Sequence, residues 1–207
     1  MHWVNVEGYP MPVPLGGHPA LELCNTWAGW AAPPSPEREW LRDFDRLAVW
    51  TGHVQLLTPT TVGRLRADGR RHPAAAHDVL VATRLLRAAL YDVLLDPDDT
   101  AAFRHVAEQA QRAAAVAVLK SDRDGLAHWT LPDDVGLPLP LLASAQAATD
   151  LLSTPARTEV RACPAVECGW LFLDRRGRRR WCSMASCGNR AKVRAYAARQ
   201  QLDWGDE

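Results

Sequence analysis

Four cysteines near the C-terminus are the residues of this chain best suited to chemistry. They form two pairs with identical gaps, Cys163 with Cys168 and Cys182 with Cys187, and thirteen residues separate the pairs. Four thiolates on two short loops can surround one Zn²⁺ tetrahedrally at about 2.3 Å. A catalytic zinc keeps one position open for water, whereas cysteine would fill all four positions here. The spacing therefore predicts one structural zinc ion.

Disulfides and free buried thiols are the alternatives for these cysteines. The first fourteen residues lack the basic end, apolar block and cleavage site of a secretory signal, so we expect a reducing cytoplasm, which disfavours disulfides. None of the seven histidines lies in the cluster. The fifth cysteine, Cys24, alternates with Leu21 and Leu23, a pattern typical of a core residue.

The positive charge of the chain is concentrated around the cysteines. Residues 157–201 carry eleven Lys and Arg against three Asp and Glu, a net charge of +8, although the whole chain is neutral. Such a segment is typical of nucleic-acid binding. The candidate nucleic-acid contacts are Arg175, Arg176, Arg178, Arg179, Arg180, Asn189, Arg190, Lys192, Arg194 and Arg199.

Other interpretations of these residues stay open at the level of sequence. The arginines can pair with the acidic N-terminal part, which would contribute little per exposed pair. Trp170 and Trp181 can stack on unpaired bases, which would favour RNA, but a tryptophan beside a zinc loop more often covers the metal core. Arg190 can serve a phosphate, a base edge or merely Asp174.

The elements of the C-terminal segment follow from the same residues. Residues 170–173 and 178–181 flank a turn that ends at Gly177, which predicts a hairpin between the two cysteine pairs. The second pair leads into a predicted helix over residues 186–201. Two cysteine loops, a hairpin and a helix make a treble-clef-like or ribbon-like zinc finger, of which we take the treble-clef-like form as the prediction.

The remainder of the chain reads as mainly helical. The alternation of apolar and polar residues over 20–25 predicts a short buried strand. Ser35 followed by Pro36 predicts the start of a helix. Further helices are predicted over residues 60–68 (stopped by Gly69), 73–95, 98–115 and 139–153, and a strand pair over 116–119 and 126–131.

These elements predict an α+β fold, mainly α with a small β component. Thr154 and Pro155 mark the boundary. We therefore expect a helical domain over residues 1–155 and a four-cysteine zinc finger with a basic C-terminal helix over residues 156–207.

The zinc-binding segment resembles the CGNR zinc-finger family. The resemblance rests on the cysteine spacing, on Gly-Trp-Leu-Phe-Leu-Asp after Cys168 and on the run Cys187–Gly188–Asn189–Arg190. The N-terminal part is similar to the ABATE domain through residues 17–26, 84–87 and 148–152. The resemblance implies a bacterial, stress-responsive transcription regulator whose finger binds DNA, with the four cysteines as zinc ligands.

We therefore expect a zinc-dependent DNA-binding transcription regulator of the cytoplasm and nucleoid, acting as a homodimer without a membrane segment. The N-terminal domain would sense a small-molecule effector or assemble the protein. The alternative is an interaction module that binds an acidic partner or RNA without sequence-specific DNA binding. A pocket around His18, Asn25 and Arg84 would suit an enzyme, but no catalytic motif supports it, so we expect no enzymatic activity. His18 more often caps a turn, and Asn25 more often ends a strand.

Overall fold

The computed structural model describes residues 3–33, 35–165 and 167–203, so the outermost ends of the two predicted domains lie outside it. Within these residues the chain forms seven α-helices and six short strands. The helices are α1 (Pro19–Cys24), α2 (Phe44–His53), α3 (Pro59–Arg71), α4 (Pro73–Leu95), α5 (Thr100–Val116), α6 (Leu139–Leu152) and α7 (Asn189–Asp203). The strands are β1 (Trp3–Val6), β2 (Tyr9–Pro12), β3 (Val118–Ser121), β4 (Ala127–Thr130), β5 (Val160–Ala162) and β6 (Leu171–Leu173). This confirms the predicted fold class.

Helix α4 is the centre of the helical domain, and α1, α2, α3, α5 and α6 all pack against it. Its predicted bounds are confirmed, because Pro73 occupies the first turn and Pro97 follows its end. An apolar stripe along it, which includes Leu80, Leu86 and Leu90, is buried in the main core. Periodic apolar residues over six turns thus suffice to define this helix.

The predicted strand over residues 20–25 is wrong, because this segment forms α1. His18 caps the helix by accepting a hydrogen bond from the Ala20 N–H at 3.2 Å, and Pro19 pre-sets the first turn. Burial on all sides hides the helical period, since every residue from Ala20 to Cys24 is buried. Asn25 therefore ends a helix and not a strand.

The helix predicted to begin at Pro36 begins instead at Phe44. Pro36–Arg38 is a single 3-10 turn, after which Glu39 bridges to Trp27 in extended conformation. Asp43 caps α2 through the Arg46 N–H at 2.8 Å. Gly69 was expected to stop α3, but it lies inside that helix, where an added Cβ would come within 2.6 Å of the Phe44 ring.

The strand pair predicted over residues 116–119 and 126–131 is present as β3 and β4, and the helix predicted over residues 139–153 is α6, which ends one residue earlier. Strands β3 and β4 pair antiparallel, with Lys120 opposite His128 and Leu119 opposite Trp129. In the described part of the chain, no helix is long and apolar enough to cross a membrane.

Strand β6 joins the helical domain to the cysteine cluster. It pairs antiparallel with β5, and Ala162 lies opposite Leu171. Residues 178–181 do not pair with β6, so the predicted hairpin between residues 170–173 and 178–181 is wrong. The predicted turn is present, with Gly177 at a φ of +65°. Because strand side chains alternate, Leu171 and Leu173 belong to the core of the helical domain, whereas Trp170 and Phe172 pack among the cysteines.

Candidate metal centre

The four predicted ligands converge on one point. The sulfur atoms of Cys163, Cys168, Cys182 and Cys187 all lie within 4.8 Å of one another, and all four residues are buried. The Sγ–Sγ distances are 3.5 Å between Cys168 and Cys182 and 3.6 Å between Cys182 and Cys187. Tetrahedral zinc with bonds of about 2.3 Å requires sulfurs roughly 3.8 Å apart. The arrangement fits one structural zinc ion.

The chemistry of the thiols also favours a cation at this point. A hydrogen bond with Cys168 lowers the pKa of the Cys163 thiol, whereas the contact with Cys163 raises the pKa values of Cys168 and Cys182. One sulfur can thus ionise at the expense of its neighbours. A bound Zn²⁺ removes this conflict, because its charge favours the thiolate form of every ligand.

The first cysteine pair lies on a tight loop that leads into β6. The Cys163 N–H donates to the Trp170 carbonyl at 2.8 Å, and the Cys168 N–H donates to the Ala165 carbonyl at 2.8 Å. Gly169 has a φ of +66°, and an added Cβ would lie 3.0 Å from both Trp30 and the Tyr91 hydroxyl. Only glycine fits this close approach to the helical domain.

The second pair lies at the start of α7. Residues Met184–Gly188 form one π-turn that brings Cys187 back toward Cys182, and α7 begins directly at Asn189. A Cβ on Gly188 would come within 2.9 Å of Met184 and 3.3 Å of Trp181. A small residue at position 188 therefore lets α7 begin close to Trp181 and the cysteine cluster.

Two aromatic side chains cover the cysteine cluster. Trp170 and Phe172 are buried among the sulfurs at 2% and 1% exposure, which excludes Trp170 from stacking on bases in this conformation. The interpretation of Trp170 as a cover of the metal core is confirmed. Cys24 lies apart in the helical core, where burial raises the pKa of its thiol.

Asn25 is a structural residue of the site whose role sequence reasoning missed. Its side-chain amide donates to the Leu171 carbonyl at 2.9 Å, and its carbonyl accepts from the Leu171 N–H at 2.8 Å. The side chain thus pairs with β6 as a neighbouring strand would. Asn25 is fully buried. These two hydrogen bonds are therefore shielded from solvent, and they hold the zinc module against α1.

The loop after α1 provides further support for the cysteine loop. The Gly29 N–H donates to the Cys168 carbonyl at 2.9 Å, and the Trp170 indole donates to the Trp27 carbonyl at 2.9 Å. Tyr91 on α4 donates its hydroxyl to the Gly169 carbonyl at 2.9 Å and stacks on Trp30. The backbone carbonyls of Cys168 and Gly169 therefore accept hydrogen bonds from the helical domain.

A buried ion pair fixes the loop that follows α1. Arg87 on α4 donates from both terminal nitrogens to the carboxylate of Glu39, at 2.8 and 2.5 Å, and also donates to the Thr26 hydroxyl at 2.9 Å. Arg84, which sequence reasoning placed in a pocket, donates to the Leu41 carbonyl at 2.6 and 3.0 Å. His18, Asn25 and Arg84 thus have capping and packing roles.

Two of the candidate nucleic-acid contacts turn toward the metal site. The Arg190 guanidinium donates to the Sγ of Cys187 at 3.3 Å, and not to Asp174. Arg179 lies over the Phe172 ring, 4.4 Å from its centroid, and donates to the carbonyls of Leu15 and Cys182. These contacts give both arginines a structural role.

Replacing Arg190 with alanine is expected to weaken zinc binding about tenfold or more, because its hydrogen bond orients and stabilises a ligand thiolate. Competition with a chelating dye would measure this loss. Arg194→Ala is the matched control, since Arg194 lies one turn further along α7, exposed, with an ion pair to Glu167 at 3.9 Å. Equal zinc affinity of the two variants would contradict the assigned role of Arg190.

The other candidate contacts are exposed, and so is Arg190 despite its contact with Cys187. Arg175, Arg176 and Arg178, together with the half-buried Arg179, line an open basic cleft of about 420 Å³ at the turn after β6. Arg180 lies over the Trp181 ring, and Trp181 lies beside Gly188. Arg180 is therefore close to the start of α7. Lys192, Arg194 and Arg199 are exposed on α7, and Asn189 at its start donates to the Ala185 carbonyl at 3.4 Å.

The fold and the metal site thus define a protein with a helical domain and a four-cysteine zinc module. Residues 159–200 match the family model described as CGNR zinc finger. Residues 17–155 match the ABATE model, described as "Putative stress-induced transcription regulator". This second match covers more than half of the chain, which therefore belongs to the ABATE family, with a CGNR zinc finger after it. A comparison with curated proteins finds no match.

Proposed function

We propose that this chain is a transcription regulator that binds duplex DNA through the surface of its zinc module. The proposal rests on exposed cations of the module that, apart from Arg194, have no ion-pair partner among the described residues. Among the described residues of the module, the only ion pair of a candidate contact residue is the 3.9 Å pair of Arg194 with Glu167. The remaining exposed arginines and Lys192 are free to bind a polyanion outside the chain, and DNA phosphates are one.

Helix α7 supports the same proposal. Its side chains from Lys192 to Gln200 are exposed, and the element that it contacts most is its own preceding π-turn. A helix of about fifteen residues is marginal in water without a packing partner. Docking against DNA would cover α7 and would use its cations. The zinc ion contributes by fixing the direction in which α7 leaves the module.

The basic turn offers a quantitative test of DNA binding. Arg175→Gln combined with Arg178→Gln is expected to reduce the slope of log K against log salt by about 1.8, or roughly 0.9 for each lost phosphate contact. Fluorescence anisotropy with a labelled duplex at several salt concentrations measures this slope. Arg104→Gln combined with Arg123→Gln removes two exposed charges from the helical domain and serves as the control. Equal slopes for both pairs would place the contact surface elsewhere.

A protein partner is the second candidate, favoured by a specific observation on α7. Val193 and Tyr196 are 67% and 60% exposed, which suits an acidic protein with an apolar groove better than DNA alone. This alternative predicts DNA binding that is weak, independent of sequence and lost near about 0.15 M salt.

The proposal includes a homodimer and no catalytic role. One finger offers limited area and mostly sequence-independent energy, so two copies on two half-sites would supply specificity. Under this proposal the chain acts in the cytoplasm on the nucleoid, and its helical domain senses a signal or joins the two copies.

A further inference from the structure

The β3–β4 hairpin presents an apolar face to solvent. Every residue from Val118 to Trp129 is exposed. Leu119 lies directly opposite Trp129 in the strand pair, so both side chains leave the same face of the hairpin, at 57% and 60% exposure. A two-stranded hairpin is marginally stable in water unless a further element covers its apolar face. We therefore expect this hairpin to gain stability from a partner on that face.

Helix α5 continues the apolar surface along one flank. At 100° per residue, one strip of the helix carries apolar side chains only, and the strip consists of Phe103, Ala107, Ala110, Ala114 and, directly after the helix, Ala117. Phe103 is 53% exposed, and none of the four alanines is fully buried. The opposite flank carries Arg104, Glu108 and Arg112, as is usual for a helix surface that faces water.

A hollow of about 300 Å³ joins this strip to the hairpin. It lies between α5 and α6, and both the strip and Trp129 line it. Asp150 is the one charged residue among those that line the hollow. We call the strip, the hollow, Leu119 and Trp129 together the hairpin–α5 face. This face combines two large projecting side chains with a concave surface of small residues.

The apolar area of the hairpin–α5 face matches the need of a stable dimer. A large side chain has about 150–250 Å² of surface. At their observed exposures, Phe103, Leu119, Trp129 and the four alanines therefore present on the order of 400–500 Å². A homodimer interface of standard size buries about 800 Å² per partner, of which roughly 500 Å² is apolar.

The shape and charge of the face favour a second copy of the same chain as its partner. In a twofold interface the same patch of both copies meets, so the projecting side chains of each copy lie against the hollow of the other. Because the face is nearly uncharged, two copies do not repel each other there. A partner chosen by its charge would find little to recognise on this face.

We propose that the hairpin–α5 face is the homodimer interface of this protein. Leu119 and Trp129 of one copy cover the hollow of the other, and the reciprocal contact forms at the same time. This inference deepens the proposed function and rests on its homodimer, but it does not depend on DNA binding. The candidate DNA contacts lie outside the face and stay accessible in such a dimer.

Sedimentation velocity of the full-length, zinc-loaded chain without DNA tests the interface. We expect a dimer with a dissociation constant in the micromolar range or below. Ala114→Glu places a charge in the hollow and keeps a good helix former, and Leu119→Thr removes a projecting side chain and keeps a good strand former. Each variant should raise the dissociation constant about tenfold or more.

The matched controls change neighbouring positions that point elsewhere. Ala115→Glu alters the next exposed residue of α5, which lies outside the strip. Leu126→Thr alters a leucine that is 68% exposed and that leaves the other face of the hairpin. Both controls should dimerise like the unmodified chain. Equal zinc contents and far-UV circular dichroism spectra would verify that all four variants fold.

Hydrogen exchange of the unmodified chain tests the same face without a substitution. As the concentration rises through the dissociation constant, protection should increase over residues 103–130. The proposal is overturned if the chain is monomeric throughout the micromolar range, if the face variants dimerise as tightly as their controls, or if the added protection lies on another surface. Because DNA is absent, such a result removes the interface and leaves DNA binding to its own test.

Discussion

Cys182→Ser is expected to abolish zinc binding and to unfold most of residues 159–203. The cysteine cluster contains few apolar side chains besides Trp170 and Phe172, and β5 and β6 have three residues each. So small a module depends on its metal, which contributes about 10–16 kcal/mol in zinc-finger peptides. Elemental analysis should give about one zinc per unmodified chain and close to none in the variant.

The matched control is Cys24→Ala, which removes the buried thiol that lies outside the cluster. It should lower stability through lost packing and keep the full zinc content. Hydrogen exchange would locate the unfolding, and we expect Leu171 and Leu173 to lose protection in Cys182→Ser because β6 belongs to both cores. Full zinc occupancy in Cys182→Ser would contradict the ligand assignment.

Asn25→Ala is expected to lower the free energy of unfolding by about 2–6 kcal/mol. The substitution leaves the Leu171 N–H and carbonyl buried without partners, at a cost of about 1–3 kcal/mol each. Urea denaturation of the zinc-loaded chain measures the change.

Asn5→Ala is the control for this substitution. The side-chain carbonyl of Asn5 accepts an exposed hydrogen bond from the Gly8 N–H at 2.9 Å. Its effect should stay below about 1 kcal/mol. The zinc module of Asn25→Ala should also release its metal faster, because β6 positions the first cysteine pair. A loss no larger than that of Asn5→Ala would show that the two cores do not depend on this contact.

The metal ligands could be predicted because the information is local. Two pairs of cysteines with equal gaps leave few arrangements that bring four sulfurs together, and α4 is defined by its apolar period alone. The segment over residues 20–25 failed for the opposite reason, since a helix buried on all sides has no polar face to show its period. The capping histidine and the proline after it were the available signal.

The support of the site could not be predicted, since it depends on contacts between distant parts of the chain. Nothing in the neighbourhood of Asn25 indicates that its amide pairs with Leu171, 146 residues away. Likewise, the sequence predicts Arg178, Arg179 and Arg190 alike as nucleic-acid contacts. Their different contacts follow from the path of the chain around the cysteine cluster, which brings the Arg190 guanidinium to Cys187 and the Arg179 guanidinium to the Phe172 ring.

Under the proposed function, the zinc-loaded module binds duplex DNA with sequence preference. The most direct measurement is selection from a random duplex pool near about 0.15 M salt, followed by sequencing of the bound molecules. We predict that one motif is enriched, with two half-sites at a fixed spacing, and that Cys182→Ser enriches none. A pool that stays random after several rounds with the zinc-loaded chain would contradict sequence-specific DNA binding and would favour a protein partner for the basic surface.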